Sequence, residues 1–171
     1  GKTAERPNIL LLVLDTTRAD HLSCYGYPKP TTPNIDRIAA EGVVFERAYS
    51  PAVWTLAGHA SIFTGMTPSK SGANGENIYL DEGFITLAEI LSHCGYQTAG
   101  FCNNPWVAEF TAMDQGFQHY RKMWLKPYGT NLLLSHWVYR AIQNLFTYVP
   151  PVGSVEGTTR EVLSWMRKHR D

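Results

Sequence analysis

Three polar side chains stand where chemistry could be done: Asp15, Thr55 and His59. Asp15 closes the apolar run of residues 8–14 (NILLLVL). A carboxylate just beyond the carboxyl end of a buried strand lies where open α/β sheets collect ligands, and its oxygens suit a hard or borderline cation. The same residue would serve equally to cap the following turn. Thr55 precedes residues 56–64, a predicted helix with Ile62 and Phe63 inward and Gly65 as its stop. As an N-cap, Thr55 would accept from backbone N–H groups. As a reacting group, it would face those N–H groups and the positive end of the helix dipole, which favour a bound or developing anion. A threonine hydroxyl is a poor nucleophile near neutral pH, and a bound metal ion lowers its pKa. His59 lies one helical turn further on, on the face of Thr55. It is either an ordinary helix histidine or a group that stabilises an oxyanion or donates a proton. Ser61 and Thr64 read as helix structure.

A sheet flanked by helices is what must position these groups. The unbroken apolar run 8–14 has the pattern of a strand buried on both faces of a parallel sheet. Shorter strands are predicted over 43–45 and 96–101. Three helix starts are written in capping residues. Thr32-Pro33 supplies an N-cap and a first-turn proline, Ile35, Ile38 and Ala39 form an apolar stripe, and Gly42 ends the helix. Thr86 and Glu89 form a capping box, with Leu87, Ile90 and Leu91 inward and Gly95 past the last turn. Thr158 and Glu161 repeat the box ahead of Val162, Leu163 and Met166. Over residues 132–146, Leu134, Trp137, Val138, Ala141, Ile142 and Leu145 recur at helical spacing until Pro150-Pro151. That stripe reads as packing against a sheet. Asn103 and Asn104 follow the strand 96–101 at its carboxyl end and are further candidates for substrate contact. Strands alternating with capped helices make the chain α/β.

The totals narrow the function. The chain has 171 residues, 44% of them hydrophobic, which suits one domain or a piece of a larger one. Lys plus Arg is 15 and Asp plus Glu is 15, so no positive field is available for nucleic acid or anionic lipid. The run 9–14 is far too short to cross a bilayer, and residues 1–7 hold no apolar targeting segment. Cys24, Cys94 and Cys102 show no CxxC spacing, which leans towards a reducing compartment without excluding export.

Read in order, RPNILLLVLDTTRADHLSCYGY, TPNIDRIAAEGVVFERAYS, TLAGHASIFTGMTPSKSG and TLAEILSHCGYQTAGF resemble the opening of the sulfatase family, within the alkaline phosphatase superfamily. The resemblance implies a mixed, mostly parallel sheet flanked by helices, incomplete in this chain. Residues 1–171 would be the N-terminal portion of a single catalytic domain, with motifs in 1–125 and a helical segment over 126–171. The resemblance also implies one divalent cation, calcium foremost, with manganese, magnesium or zinc as alternatives. Asp15 falls on the family's first metal-binding aspartate and Thr55 on its nucleophile, the two sharing the cation. His59 falls where the family carries an arginine that supports the nucleophile. The implied substrates are small-molecule, glycan or lipid sulfate or phosphate esters, with no nucleic acid partner.

Departures from the family pattern shape the chemistry. Thr16 replaces a second aspartate found in many sulfatases, and Asn103-Asn104-Pro105-Trp106 stand where a Lys and a His usually follow the strand. The family nucleophile is normally oxidised to formylglycine, but oxidising a threonine would give a ketone, so no formylglycine is expected. An unmodified threonine resembles the phosphodiesterase and phosphotransferase branches of the superfamily. A phosphorylated threonine is open to metal-assisted in-line attack at phosphorus, which points to phosphate esters as much as to sulfate esters. The missing ligands also fit a degenerate member that binds an anionic ester or a partner without turnover. The family's other metal ligands match nothing after Asp114, so the chain by itself is expected to bind metal weakly and to be inactive.

Overall fold

The computed structural model describes residues 6–123 and 154–169, which fall into two compact units, Gly1–Tyr49 and Ser50–Asp171. In the first unit, two 3₁₀ turns, Ala19–His21 and Ser23–Tyr25, lead to helix α1 (Pro33–Glu41). Thr32 and Gly42 bound α1, with Pro33 in its first turn, as the sequence predicts. The Thr32 hydroxyl makes no capping bond. It donates instead to Asp36 Oδ1 at 3.1 Å and accepts from the Ser23 N–H at 3.1 Å, while Ser23 Oγ donates to Asp36 Oδ2 at 2.6 Å. This triangle ties the second 3₁₀ turn to α1. The apolar stripe of α1 is only partly covered: Ile38 is 68% exposed, Ile35 and Ala39 are half-buried, and no residue of the helix is fully buried.

The predicted strand 8–14 does not form. Its residues pair with no strand among the described residues, and Ile9 to Leu14 range from 38% to 72% exposed. Residues 43–45 are likewise exposed and outside any strand. Burying a run on both faces takes paired strands at its edges and helices above and below. Among its described residues the first unit offers one α-helix and no strand.

The second unit is built on α2 (Thr55–Thr64), α3 (Pro68–Ser71), α4 (Leu87–His93), β1 (Ala99–Cys102), β2 (His119–Lys122) and α5 (Val155–Lys168). Its core joins Leu56, Ala60, Ala73, Leu80, Val107 and Met113, with Trp54, Phe63, Phe84 and Cys102 packed around them. Leu56 and Leu80 are fully buried, each contributing about 1.5–3 kcal/mol relative to an exposed position. β1 and β2 pair in parallel with Ala99 opposite His119 and Cys102 opposite Lys122. This parallel pair with helices around it matches the α/β class expected from the sequence.

Boundaries moved where neighbours intervened. The strand predicted from Tyr96 begins at Ala99, because the Tyr96 N–H donates to the Leu91 carbonyl and belongs to the helix stop, with Gly95 at φ 82°. In α4 the capping box is present as predicted: Thr86 Oγ1 accepts from the Glu89 N–H, and Glu89 Oε2 accepts from the Thr86 N–H. The inward face is different. Ala88 is buried, whereas Leu87 and Ile90 are 39% and 50% exposed. Thr86 Oγ1 reaches the Gln115 carbonyl, and Gly116, at φ 80°, lies so close to Ala88 and Glu89 that a Cβ would overlap their backbone. These contacts set the rotation of α4. The last helix starts earlier than its predicted box, since Ser154 is the N-cap and accepts from the Gly157 N–H at 3.0 Å. Thr158 lies inside α5. The predicted helix 132–146 lies outside the described residues.

Candidate active site

Asp15 belongs to the first unit, and Thr55, His59, Asn103 and Asn104 to the second. Asp15 is exposed, and its Oδ1 accepts from the Thr16 N–H at 2.9 Å. Thr16 sits in the left-handed region at φ 58°, unusual for a β-branched residue. Conformations of this kind hold of order 1–3 kcal/mol and concentrate at functional sites. The strain therefore lies on the residue next to the candidate ligand, at the position where many sulfatases carry a second aspartate.

Thr55 is the first residue of α2, and Trp54, at φ −117° and ψ 139°, is the N-cap. The sequence placed the cap on Thr55 itself, one residue late. The reason is visible in the backbone: the Trp54 carbonyl accepts the first helical bond, from the Gly58 N–H at 2.9 Å. Thr55 thus stands in the first turn, where N–H groups not used by the helix and the positive dipole end favour negative charge. Gly65, at φ 69°, closes the helix as predicted. Ser61 Oγ and Thr64 Oγ1 donate back to the Ala57 and Ala60 carbonyls, which makes them part of the helix structure. Phe63 packs against the core, but Ile62 is 42% exposed and does not point inward.

His59 Nδ1 lies 2.8 Å from the Thr55 carbonyl oxygen. A carbonyl only accepts, so Nδ1 carries a proton, and a neutral His59 presents Nε2 as a lone pair. Half-buried, with Phe63 edge-on at 6.2 Å, the ring is held over the first turn of α2. In its neutral form His59 is a proton acceptor at Nε2; only the imidazolium donates there.

Asn103 and Asn104 follow β1 as predicted, but both are engaged. Asn103 Nδ2 donates to Thr158 Oγ1 at 2.6 Å, which ties the end of β1 to α5. Asn104 Oδ1 accepts from the Trp106 N–H at 2.9 Å, and its carbonyl accepts from the Val107 N–H. One residue passed over in the sequence stands directly beside the candidate nucleophile. Trp54 precedes Thr55, and its ring meets Trp106 edge-on at 5.4 Å. The signal was a tryptophan next to Thr55 and another in the loop after β1, but nothing local relates the two rings.

The sulfatase family profile matches residues 7–138. This chain belongs to the sulfatase family. Sulfatases similar to it include the N-acetylgalactosamine-6-O-sulfatase of Bacteroides thetaiotaomicron, 33% identical over 57% of this chain and 20% of that protein. Human arylsulfatase A is 35% identical over 56% of this chain and 20% of its own length. The chain therefore spans about a fifth of these relatives. Among solved structures, the phosphonate monoester hydrolase of Agrobacterium radiobacter aligns with 81% of this chain at a TM-score of 0.61 and 23% identity, covering 29% of that protein. A putative sulfatase from Bacteroides thetaiotaomicron aligns with 67% of this chain and 24% of its own at a TM-score of 0.54 and 24% identity. These two likenesses show the fold, which is alkaline phosphatase-like.

The sulfatase fold implies a divalent cation. Carboxylate and hydroxyl oxygens at Asp15 and Thr55 have the hard-donor character it requires. In number they fall short: among the described residues no three His, Cys, Asp or Glu side chains gather to hold a metal. No helix among the described residues is long and apolar enough to cross a membrane.

Proposed function

We propose that this sulfatase-family chain carries the nucleophile and first metal ligand of a hydrolase acting on sulfate esters or related phosphate esters. The observation that carries the reading is Thr55, in the first turn of α2 within the matched family region, with His59 held over the same turn by its Nδ1–H. Asp15 would supply an oxygen ligand to a divalent cation, calcium foremost, and the Thr55 hydroxyl has the donor character such an ion takes. When bound, that ion lowers the pKa of the hydroxyl and offsets charge on the transferred group. Thr55 Oγ attacks sulfur or phosphorus, forming a new O–S or O–P bond as the bond to the alcohol breaks, and the alcohol leaves with a proton. His59 Nε2 takes the proton that Thr55 gives up and hands it to the departing alcohol oxygen. Water then attacks the covalent intermediate at sulfur or phosphorus, the bond to Thr55 Oγ breaks, and a proton from that water passes to the Thr55 oxygen, which returns Thr55 to its starting state. The first-turn N–H groups of α2 face the developing negative charge.

Sugar sulfates follow as one substrate class, because N-acetylgalactosamine-6-O-sulfatase is among the similar proteins. Phosphate monoesters and diesters are favoured by the nucleophile itself, since threonine cannot mature to formylglycine and a phosphothreonine is open to in-line attack.

The test is a screen of the full-length protein against aryl sulfate, phosphate monoester and phosphodiester substrates, with and without chelator. The expected result is chelator-sensitive turnover that Thr55→Ala lowers on the order of 10³-fold or more, as for loss of a nucleophile. Thr55→Ser should keep most of it. Full activity of Thr55→Ala on every ester would reduce Thr55 to a helix residue. Chelator-insensitive silence of the wild type, with ester binding retained, would support the non-catalytic alternative.

A further inference from the structure

A hollow of about 240 Å³ opens between α3 and the loop that follows it, lined by Lys70, Ser71, Asn77, Tyr79, Asp81 and Phe84, with Ser69 and Gly72 completing its wall. Ser71 is 3% exposed, and its buried hydroxyl has no hydrogen-bond partner among the described residues. A buried polar atom without a partner is rare in folded proteins and points to a missing ligand or water. Two exposed side chains beside it, Asp81 and Asn77, keep polar atoms unused among the described residues. Asp81 uses Oδ1 to accept from the Gly83 N–H at 2.7 Å, which leaves Oδ2. Asn77 spends its backbone on Asn74, and its carboxamide is unspent among the described residues. The Tyr79 ring is half-exposed, and Phe84 packs on the core with its side towards the hollow.

The chemistry of this lining selects its ligand. Lys70 and Asp81 bring opposite charges to one small space, so neither a simple anion nor a simple cation is favoured. Hydroxyl, carboxamide and carboxylate groups match paired ligand hydroxyls, and aromatic rings offer a face for C–H groups. The volume lies below the ~300–1,000 Å³ of sites for drug-sized ligands, which leaves room for a single ring. We propose that this hollow is a binding site for a neutral sugar ring, held by Ser71, Asn77 and Asp81 against Tyr79 and Phe84. The site goes beyond the proposed reaction and does not require Thr55 to be a nucleophile.

The experiment is an amide NMR titration of the ¹⁵N-labelled 171-residue chain with the methyl glycosides of galactose and glucose, with sodium sulfate and tetramethylammonium chloride as separate arms. One glycoside is expected to shift residues 69–84 and to saturate with a Kd of roughly 1–10 mM. Asp81→Ala and Tyr79→Ala should each weaken it about tenfold or more. Ser71→Ala separates ligand from structure. Removing an unpartnered buried hydroxyl should raise the melting temperature of the unliganded chain by about 2–4 °C while weakening the sugar. Four results would each overturn the proposal: no saturation by roughly 50 mM glycoside, stronger shifts at 69–84 from sulfate, stronger shifts there from tetramethylammonium, or Ser71→Ala lowering the melting temperature with sugar affinity unchanged.

Discussion

At the residue scale, Asp15, Thr55 and His59 were legible as types at informative positions, but their bonding was not. The protonated nitrogen of His59 follows from the Thr55 carbonyl it touches, and a sequence does not show that contact. A more local case is Asp20. Arg18 grips it with Nε at 2.9 Å and Nη2 at 2.6 Å, and His21 Nδ1 lies 3.0 Å from Oδ1. The Arg18 hydrogen bonds first, and that of His21 second, hold the Asp20 carboxyl well below the usual carboxylate range. Its contribution to stability is therefore present above the unfolded pKa of about 3.9 and is lost as pH falls through the lower folded value. All three groups are exposed, so salt should weaken the effect. In a carbon-detected NMR titration, Arg18→Ala should move the Asp20 transition back up towards ordinary carboxylates. An unchanged titration would show that the pair does not persist in solution.

At the element scale, helices were easier to read than strands because their signals are local. Thr86 with Glu89, Thr32 with Pro33 and Gly65 each act within a few residues of themselves, and α4, α1 and α2 formed where they pointed. The exception is α5. Both Ser154 and Thr158 have the chemistry of a cap, and Thr158 is instead engaged by Asn103 from the end of β1. Ser154→Ala should lower stability by about 1 kcal/mol, as for loss of an N-cap. Thr158→Ala should act through Asn103, so its effect in urea unfolding should be non-additive with Asn103→Ala, while that of Ser154→Ala adds. Coupling of Ser154 rather than Thr158 to Asn103 would contradict this assignment.

At the scale of the whole molecule, hydrophobic burial depends on what surrounds a segment. The core of the second unit is small and well covered, yet Ile9 to Leu14, the most apolar run near the start of the chain, lie open. With so little of this run buried, Leu10→Asn combined with Leu12→Asn should change the stability of the 171-residue chain by no more than about 0.5 kcal/mol. The pair should also reduce binding of a hydrophobic dye. A loss of several kcal/mol would show that the run is packed in solution.

Family, fold class, the starts of α1 and α4 and the identity of the candidate nucleophile came from sequence alone, because each rests on residue type and on spacing over a turn or two. Tertiary structure alone decided the face that α4 buries, the true start of α5, the bonds that occupy Asn103 and Asn104, and the hollow around Ser71. Those features arise where segments distant in the chain compete for the same hydrogen bonds and the same space, and no local pattern records which of them wins.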